Sequence, residues 1–243
     1  MTEQEGLQLP LACVFDLEGT VVDVECAHHI GFICAAKDFG VELSFEECLA
    51  TLPHFIGGPD EEGAKDISAV AAKRGLAVDY HNILEKKKIH YDRLLRELSI
   101  QPRRGFLDFF STVKNAGIKY AIGSVTNQDQ AVVLLERAGL ADLFGYENIV
   151  LREHVQRPKP APDVWIETAK RIGVEPSKQI VFEDSPRGIN GAIEVGAYCI
   201  GMPVYNRANV ITPLINAGAR RIFLQWDEIN PLALMRNIYQ ERI

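Results

Sequence analysis

The chain has 243 residues, 47% hydrophobic and 24% charged, enough to bury a substantial core in one large domain or two smaller ones. Its 26 Lys and Arg stand against 33 Asp and Glu, a net charge of −7 with no basic block, which argues against nucleic acid as a partner because phosphate contacts need clustered cations. No apolar run reaches the roughly 18 residues of a membrane span; the first residues lack the basic start and apolar core of a secretion signal; and five cysteines without C-x-x-C spacing read as free thiols, so the expected setting is cytoplasmic.

Residues 9–14 form an apolar run that reads as a buried parallel strand. Asp16 and Glu18 follow where that strand ends, and Gly19 permits a sharp turn. From 24 to 98 the apolar spacing becomes helical, in Ile30-Ile33-Cys34, Phe45-Cys48-Leu49, Ile67-Val70-Ala71, Ile83-Leu84 and then Tyr91-Leu94-Leu95-Leu98. Breakers at Gly40, at 53–59 and at Gly75 divide it into four or five helices, a small bundle. From Gly105 onward the rhythm is strand, loop, helix. Strands are expected over 119–123, 148–151, 179–182, 198–201 and 221–223, with helices over 130–138, 163–172 and 189–195. Such alternation predicts an α/β fold with a doubly wound parallel sheet. The first strand must join that sheet, since one buried strand cannot satisfy its own backbone. The predicted organisation is therefore a core of residues 1–22 and 103–243, with a helical bundle of 23–102 inserted into it.

In open α/β sheets ligands bind at the carboxyl ends of strands, and four further features fall there. Ser124 directly follows one strand, and its hydroxyl can donate to an oxyanion. Lys159 sits in a loop stiffened by Pro158, Pro160 and Pro162, which fix where its ammonium points. Glu183 and Asp184 end another strand. The small residues of Gly188-Ile189-Asn190-Gly191-Ala192 permit close helix–sheet packing. Taken singly, each is an ordinary turn acid, loop lysine or turn serine. Taken in order on one sheet, they describe a phosphoryl-transfer site. Asp16 and Asp184 offer hard oxygens suited to Mg²⁺, which takes one or two carboxylates plus substrate phosphate.

The segments 15–20, 159–163 and 182–188 resemble the motifs of the haloacid dehalogenase superfamily, in the branch of β-phosphoglucomutases and small-metabolite phosphatases with a helical cap after the first strand. The resemblance runs from Cys13 to about Met202. It implies Asp16 as the nucleophile that forms an aspartyl-phosphate. Asp184 would ligate Mg²⁺ with Asp16 and the backbone carbonyl of Glu18. Ser124 would bind the phosphoryl group, Lys159 would orient Asp16, and Glu183 would stand behind Asp184.

The family usually has Asp two residues after the nucleophile, as the acid and base of the two steps. Glu18 keeps the carboxyl and adds a methylene, as the superfamily's enolase-phosphatases do, and its presence argues against dehalogenation. Substrate contacts are expected from the cap: His28 near the hinge, Lys87 four residues before Tyr91, and Gly57 and Gly58 in the turn 53–60. Asp60, with Glu61 and Glu62 beside it, is expected to repel a second phosphate and favour a neutral or cationic leaving group. The expected activity is a Mg²⁺-dependent phosphatase acting on a small phosphorylated metabolite. The alternatives are a sugar-phosphate mutase and a non-catalytic binding protein on the same fold.

Overall fold

The computed structural model describes residues 11–56 and 59–241. In chain order these form β1 (Ala12–Phe15), β2 (Val22–Asp23), α1 (Glu25–Asp38), α2 (Phe45–Thr51), α3 (Asp60–Lys73), α4 (Tyr80–Glu97) and β3 (Gln101–Pro102). There follow α5 (Phe106–Asn115), β4 (Tyr120–Gly123), α6 (Gln128–Arg137), α7 (Ala141–Phe144), β5 (Ile149–Val150), α8 (Asp163–Ile172) and β6 (Gln179–Glu183). The chain ends in α9 (Pro186–Glu194), β7 (Tyr198–Gly201), α10 (Ala208–Asn216), β8 (Arg221–Ile222) and α11 (Pro231–Glu241).

Six parallel strands form one sheet in the order β5-β4-β1-β6-β7-β8. The predicted doubly wound sheet is therefore observed, with β1 at its centre. Alternate residues of β1 go to opposite faces, as the two-residue period of a strand requires. Cys13 and Phe15 join an aromatic core with Phe106, Phe109, Phe110, Phe144, Phe182 and Trp226, while Ala12 and Val14 pack with Val164, Trp165, Val181 and Ile189. Covered on both faces, the strand is wholly apolar, which made it legible as a continuous run. The chain turns one way from β1 to β4 and β5, and the other way through β6, β7 and β8. That reversal opens a crevice at the carboxyl ends of β1, β4 and β6.

The helical bundle lies between β1 and β4. The two runs expected over 83–98 form a single helix, α4, and α1 lies along it. Gly31 brings α1 close to the α4 backbone at Lys87, and a side chain at Gly63 would strike the Phe32 ring. Phe32, Ala35, Ile67, Ala71 and Ile83 form the bundle's own core, and Val210 of α10 joins it from the sheet side. Where the chain leaves and re-enters the sheet region, β2 and β3 pair antiparallel. This two-stranded ribbon is absent from the sequence reading, because two-residue strands show no periodicity. Among the described residues, no helix is long and apolar enough to cross a membrane.

Arg103, just after the ribbon, is 7% exposed, and its guanidinium donates to four carbonyls: Gly19 (2.6 Å), Met202 (2.7 Å), Pro203 (3.1 Å) and Leu224 (2.5 Å). One side chain thus ties the loop after β1 to the loop after β7 and to the segment after β8. Arg103→Met is expected to strand these acceptors and to cost about 3 kcal/mol or more. A urea-unfolding midpoint equal to that of the wild type would refute this.

Candidate active site

Asp16 is the residue directly after β1, at the switch point of the sheet, and is 6% exposed. Lys159 reaches it from the loop before α8 and donates from Nζ to Asp16 Oδ1 at 2.5 Å and to Glu183 Oε1 at 2.7 Å. The ammonium lies 4.5 Å over the Trp165 ring, and Arg187 donates to the Lys159 carbonyl at 2.5 Å, so both ends of the residue are fixed. Lys159 leaves Asp16 Oδ2 without a hydrogen bond from the described residues.

Glu183 is fully engaged. Its Oε2 accepts from the Ser185 amide (2.6 Å) and hydroxyl (2.9 Å), and Ser185 Oγ in turn accepts from the Gly188 amide (3.1 Å) to cap α9. With Pro186 in its first turn, α9 starts three residues before the expected 189, because cap and proline set the start rather than the apolar spacing. Position 188 has to be glycine, since a Cβ there would collide with the Glu183 carboxylate.

Asp184 Oδ1 accepts from Thr20 Oγ1 at 3.1 Å. Gly19, at φ 75°, occupies the left-handed region, and a Cβ on it would run into the Asp184 carboxylate. The glycine thus keeps the space around these oxygens clear. Burial raises the Asp16 carboxyl and Lys159 pulls it back, but Glu183 and Glu18 add to the rise and the net shift is upward. Burial, Glu183, Asp16 and Glu25 likewise push Asp184 well up against the opposing charge of Arg103. Burial alone would lower the Lys159 ammonium, yet Asp16 and Glu183 outweigh it and hold it raised.

One ammonium thus serves a crowd of buried acids, and the deficit of positive charge suits a divalent cation. The described residues contain no group of three His, Cys, Asp or Glu side chains placed to hold a metal. Asp16 and Asp184 line the same cavity, and two carboxylates would be a donor set suited to a divalent cation such as Mg²⁺, which keeps waters and substrate oxygens. If so, Mg²⁺ at 100 times its Kd should stabilise the protein by about 2.7 kcal/mol. In thermal melts the Tm should rise with Mg²⁺, and Asp184→Ala should abolish the rise. An equal rise in that variant would place the cation elsewhere.

Ser124 is 2% exposed and follows β4. Its Oγ lies 2.9 Å from Thr126 Oγ1, and Thr126 donates to Glu18 Oε1 at 2.5 Å. Because the Thr126 proton goes to Glu18, Ser124 is the donor of that pair. The Tyr91 hydroxyl donates to Glu18 Oε2. Burial works to raise the Glu18 carboxyl, but the His28 ring beside it and its bonds to Thr126 and Tyr91 prevail and lower it.

The expected cap contacts lie apart from these motifs in sequence and beside them in space. Lys87 is 1% exposed and donates to Asp60 Oδ2 at 2.5 Å. Its Nζ is also 2.8 Å from His28 Nδ1, and His28 Nε2 lies 3.7 Å from Glu18 Oε2. Burial and Lys87 disfavour a charged His28 ring, whereas Asp60 and Glu18 favour it and leave its pKa raised. Burial works to raise Asp60 too, but His28 and Lys87 outweigh it and hold it far below the usual range. Asp60 is therefore not the free negative charge that its sequence context suggests. Glu61 and Glu62 also differ from expectation: they pair with Lys65 at 2.9 and 2.8 Å and do not line the cavity. Gly57 and Gly58 lie outside the described residues.

Asp16, Glu18, Ser124, Lys159, Asp184, His28 and Lys87 together line one cavity of about 1020 Å³ between bundle and sheet. Phe32, Phe55, Ile56, Leu84 and Val210 give it an apolar side. Thr126 and Tyr91 are absent from the sequence-level candidates for chemistry. The first could have been suspected from its place two residues after Ser124, and the second from its place one helical turn after Lys87.

Residues 13–202 match the family model described as haloacid dehalogenase-like hydrolase. The chain is 29% identical over 209 residues to a phosphorylated carbohydrates phosphatase of Thermotoga maritima, covering 86% of this chain and 91% of that one. It is 28% identical over 185 residues to the fructose-1-phosphate phosphatase YqaB of Escherichia coli, covering 75% and 91%. In fold it is similar to a haloacid dehalogenase-like protein of Agrobacterium tumefaciens, with a TM-score of 0.76, 22% identity, and coverage of 94% and 98%.

Proposed function

The chain belongs to the haloacid dehalogenase-like hydrolases, and from that premise we propose that it is a Mg²⁺-dependent phosphatase that hydrolyses a small phosphorylated metabolite through a covalent phosphate on Asp16. The observation that carries this reading is the Lys159 ammonium bridging Asp16 Oδ1 and Glu183 beside Asp184, at the switch point of the sheet. We take residues 23–102 as the cap that closes over the substrate.

Asp16 Oδ2 attacks phosphorus, and the bond to the ester oxygen breaks as Glu18 delivers a proton to the departing alkoxide. The arriving phosphoryl charge raises the proton affinity of Glu18, which takes up a proton from solvent before this step, and the proton it later gains from water serves the next turnover. Glu18, now a carboxylate, takes a proton from water as the water oxygen attacks phosphorus. The bond to Asp16 then breaks, giving inorganic phosphate and the free Asp16 carboxylate. Ser124 turns its hydroxyl from Thr126 to a phosphoryl oxygen, and Lys159 keeps Asp16 Oδ1 occupied so that Oδ2 is the nucleophile. Mg²⁺, held by Asp16, Asp184 and the Glu18 carbonyl, would offset phosphoryl charge. The phosphorylated-sugar activities named for the two relatives support a sugar phosphate or similar polyol ester as substrate. A mutase needs a second phosphate seat, and the buried cap ammonium of Lys87 is already occupied by Asp60.

Phosphate release from a panel of esters, with and without Mg²⁺, tests the reading. Glu18→Gln should accumulate phospho-Asp16 with an aryl phosphate, whose good leaving group needs little acid help while the second step still needs a base. The adduct is read by intact mass after acid quench. Undiminished turnover without an adduct would remove Glu18 from the mechanism.

A further inference from the structure

The longer acid at position 18 is gripped from two sides. Thr126, in the loop after β4, donates to Oε1 at 2.5 Å, and Tyr91, on α4 of the bundle, donates to Oε2. Tyr91 is 5% exposed. Its ring lies 4.3 Å from that of His28 and 4.6 Å beneath the Lys87 ammonium, so its hydroxyl is held in place. Glutamate has one more rotatable bond than aspartate. With Thr126 alone, its carboxylate could pivot about the bonded oxygen. A second donor on the other oxygen stops the pivot. An Asp at position 18 would end about one C–C bond short, roughly 1.5 Å, out of the reach that lets Glu18 span both partners.

We propose that Tyr91 is a positioning residue for Glu18: its hydroxyl, carried by the cap, fixes the orientation of the acid and thereby ties proton transfer to the seating of the cap on the sheet. The inference rests on the reading of Glu18 as acid and base. Thr126 travels with the sheet and Tyr91 with the bundle, so only the seated cap completes the grip. This is how a site can carry an acid of unusual length without losing the sub-ångström placement that proton transfer needs.

The test compares Tyr91→Phe, Glu18→Asp and the double variant with p-nitrophenyl phosphate and Mg²⁺. Tyr91→Phe removes one oxygen and leaves the ring packing. It is expected to lower kcat on the order of 10- to 100-fold, the cost of misplacing a catalytic group by about 1 Å, with KM little changed. In the Glu18→Asp background, where the acid does not reach Tyr91, the same change should have no further effect. An equal loss of kcat in both backgrounds, or an effect on KM alone, overturns the proposal. Amide exchange supplies a readout free of turnover: Tyr91→Phe should speed exchange in α4 and the β2–β3 ribbon of the wild-type background only. If the wild type hydrolyses no ester, the reading of Glu18 fails by itself, and exchange unchanged by Tyr91→Phe would then overturn the tie as well.

Discussion

Asp16→Asn is expected to lower phosphate release by about 10⁴-fold or more, the scale of loss when a nucleophile is removed, in a protein that still folds. The amide has no charge with which to attack phosphorus and is a poor ligand for Mg²⁺. The fold should tolerate it for a local reason. Lys159 keeps its bond to Glu183 at 2.7 Å, so its buried ammonium is not orphaned. Asp184 meanwhile loses one of the like charges that raise its carboxyl. The lost ion pair and the relieved repulsion oppose each other. The Tm should therefore stay within a few degrees of wild type while turnover vanishes. Mg²⁺-dependent release near the native rate, measured on protein shown to be folded, would remove Asp16 from the chemistry.

What the sequence made legible, and what it hid, follows from the range of the interactions. The β1 strand was readable because burial on both faces makes it apolar throughout, and the acids at its end stood out against that run. Ser124, Lys159 and Asp184 were readable because each ends a strand or sits in a proline-fixed loop, so local signals placed them at the same edge of the sheet. Helix starts slipped by two or three residues at α6 and α9. At α6 the first turn, Gln128-Asp129-Gln130, is polar, and at α9 the start is set by the Ser185 cap and Pro186; apolar periodicity registers neither. The partners of Asp60 were out of reach. Three acids in a row at the start of α3 look alike in sequence, but the helix turns only Asp60 towards Lys87, 27 residues away, and sends Glu61 and Glu62 to Lys65. The contact of Tyr91 with Glu18 spans 73 residues and depends on how the bundle sits on the sheet. Arg103 is the same case at the hinge: its four acceptors come from three distant loops, and no spacing in the chain announces them.

Lys159→Met should be the most damaging single change to the resting protein. Methionine is close in volume and fills the space over Trp165, so packing is largely kept and the electrostatic loss stands alone. What remains is Asp16, Glu183 and Asp184 in one buried neighbourhood with no ammonium among them. Removing one partner of a buried ion pair costs about 3–5 kcal/mol, because the other is left as an uncompensated charge. Two carboxylates are left here, since Lys159 serves both Asp16 and Glu183. The Tm without metal should therefore fall further in Lys159→Met than in Asp16→Asn. Mg²⁺ should recover more stability in Lys159→Met than in the wild type, because the ion then answers a larger deficit of positive charge. Turnover should not recover with it: a cation on the carboxylates restores charge balance but not the donor that reserves Oδ1 and leaves Oδ2 to attack. If Lys159→Met melts like the wild type without Mg²⁺, the ammonium is not the counter-charge on which these acids depend. If Mg²⁺ restores turnover along with stability, Lys159 supplies charge and no orientation.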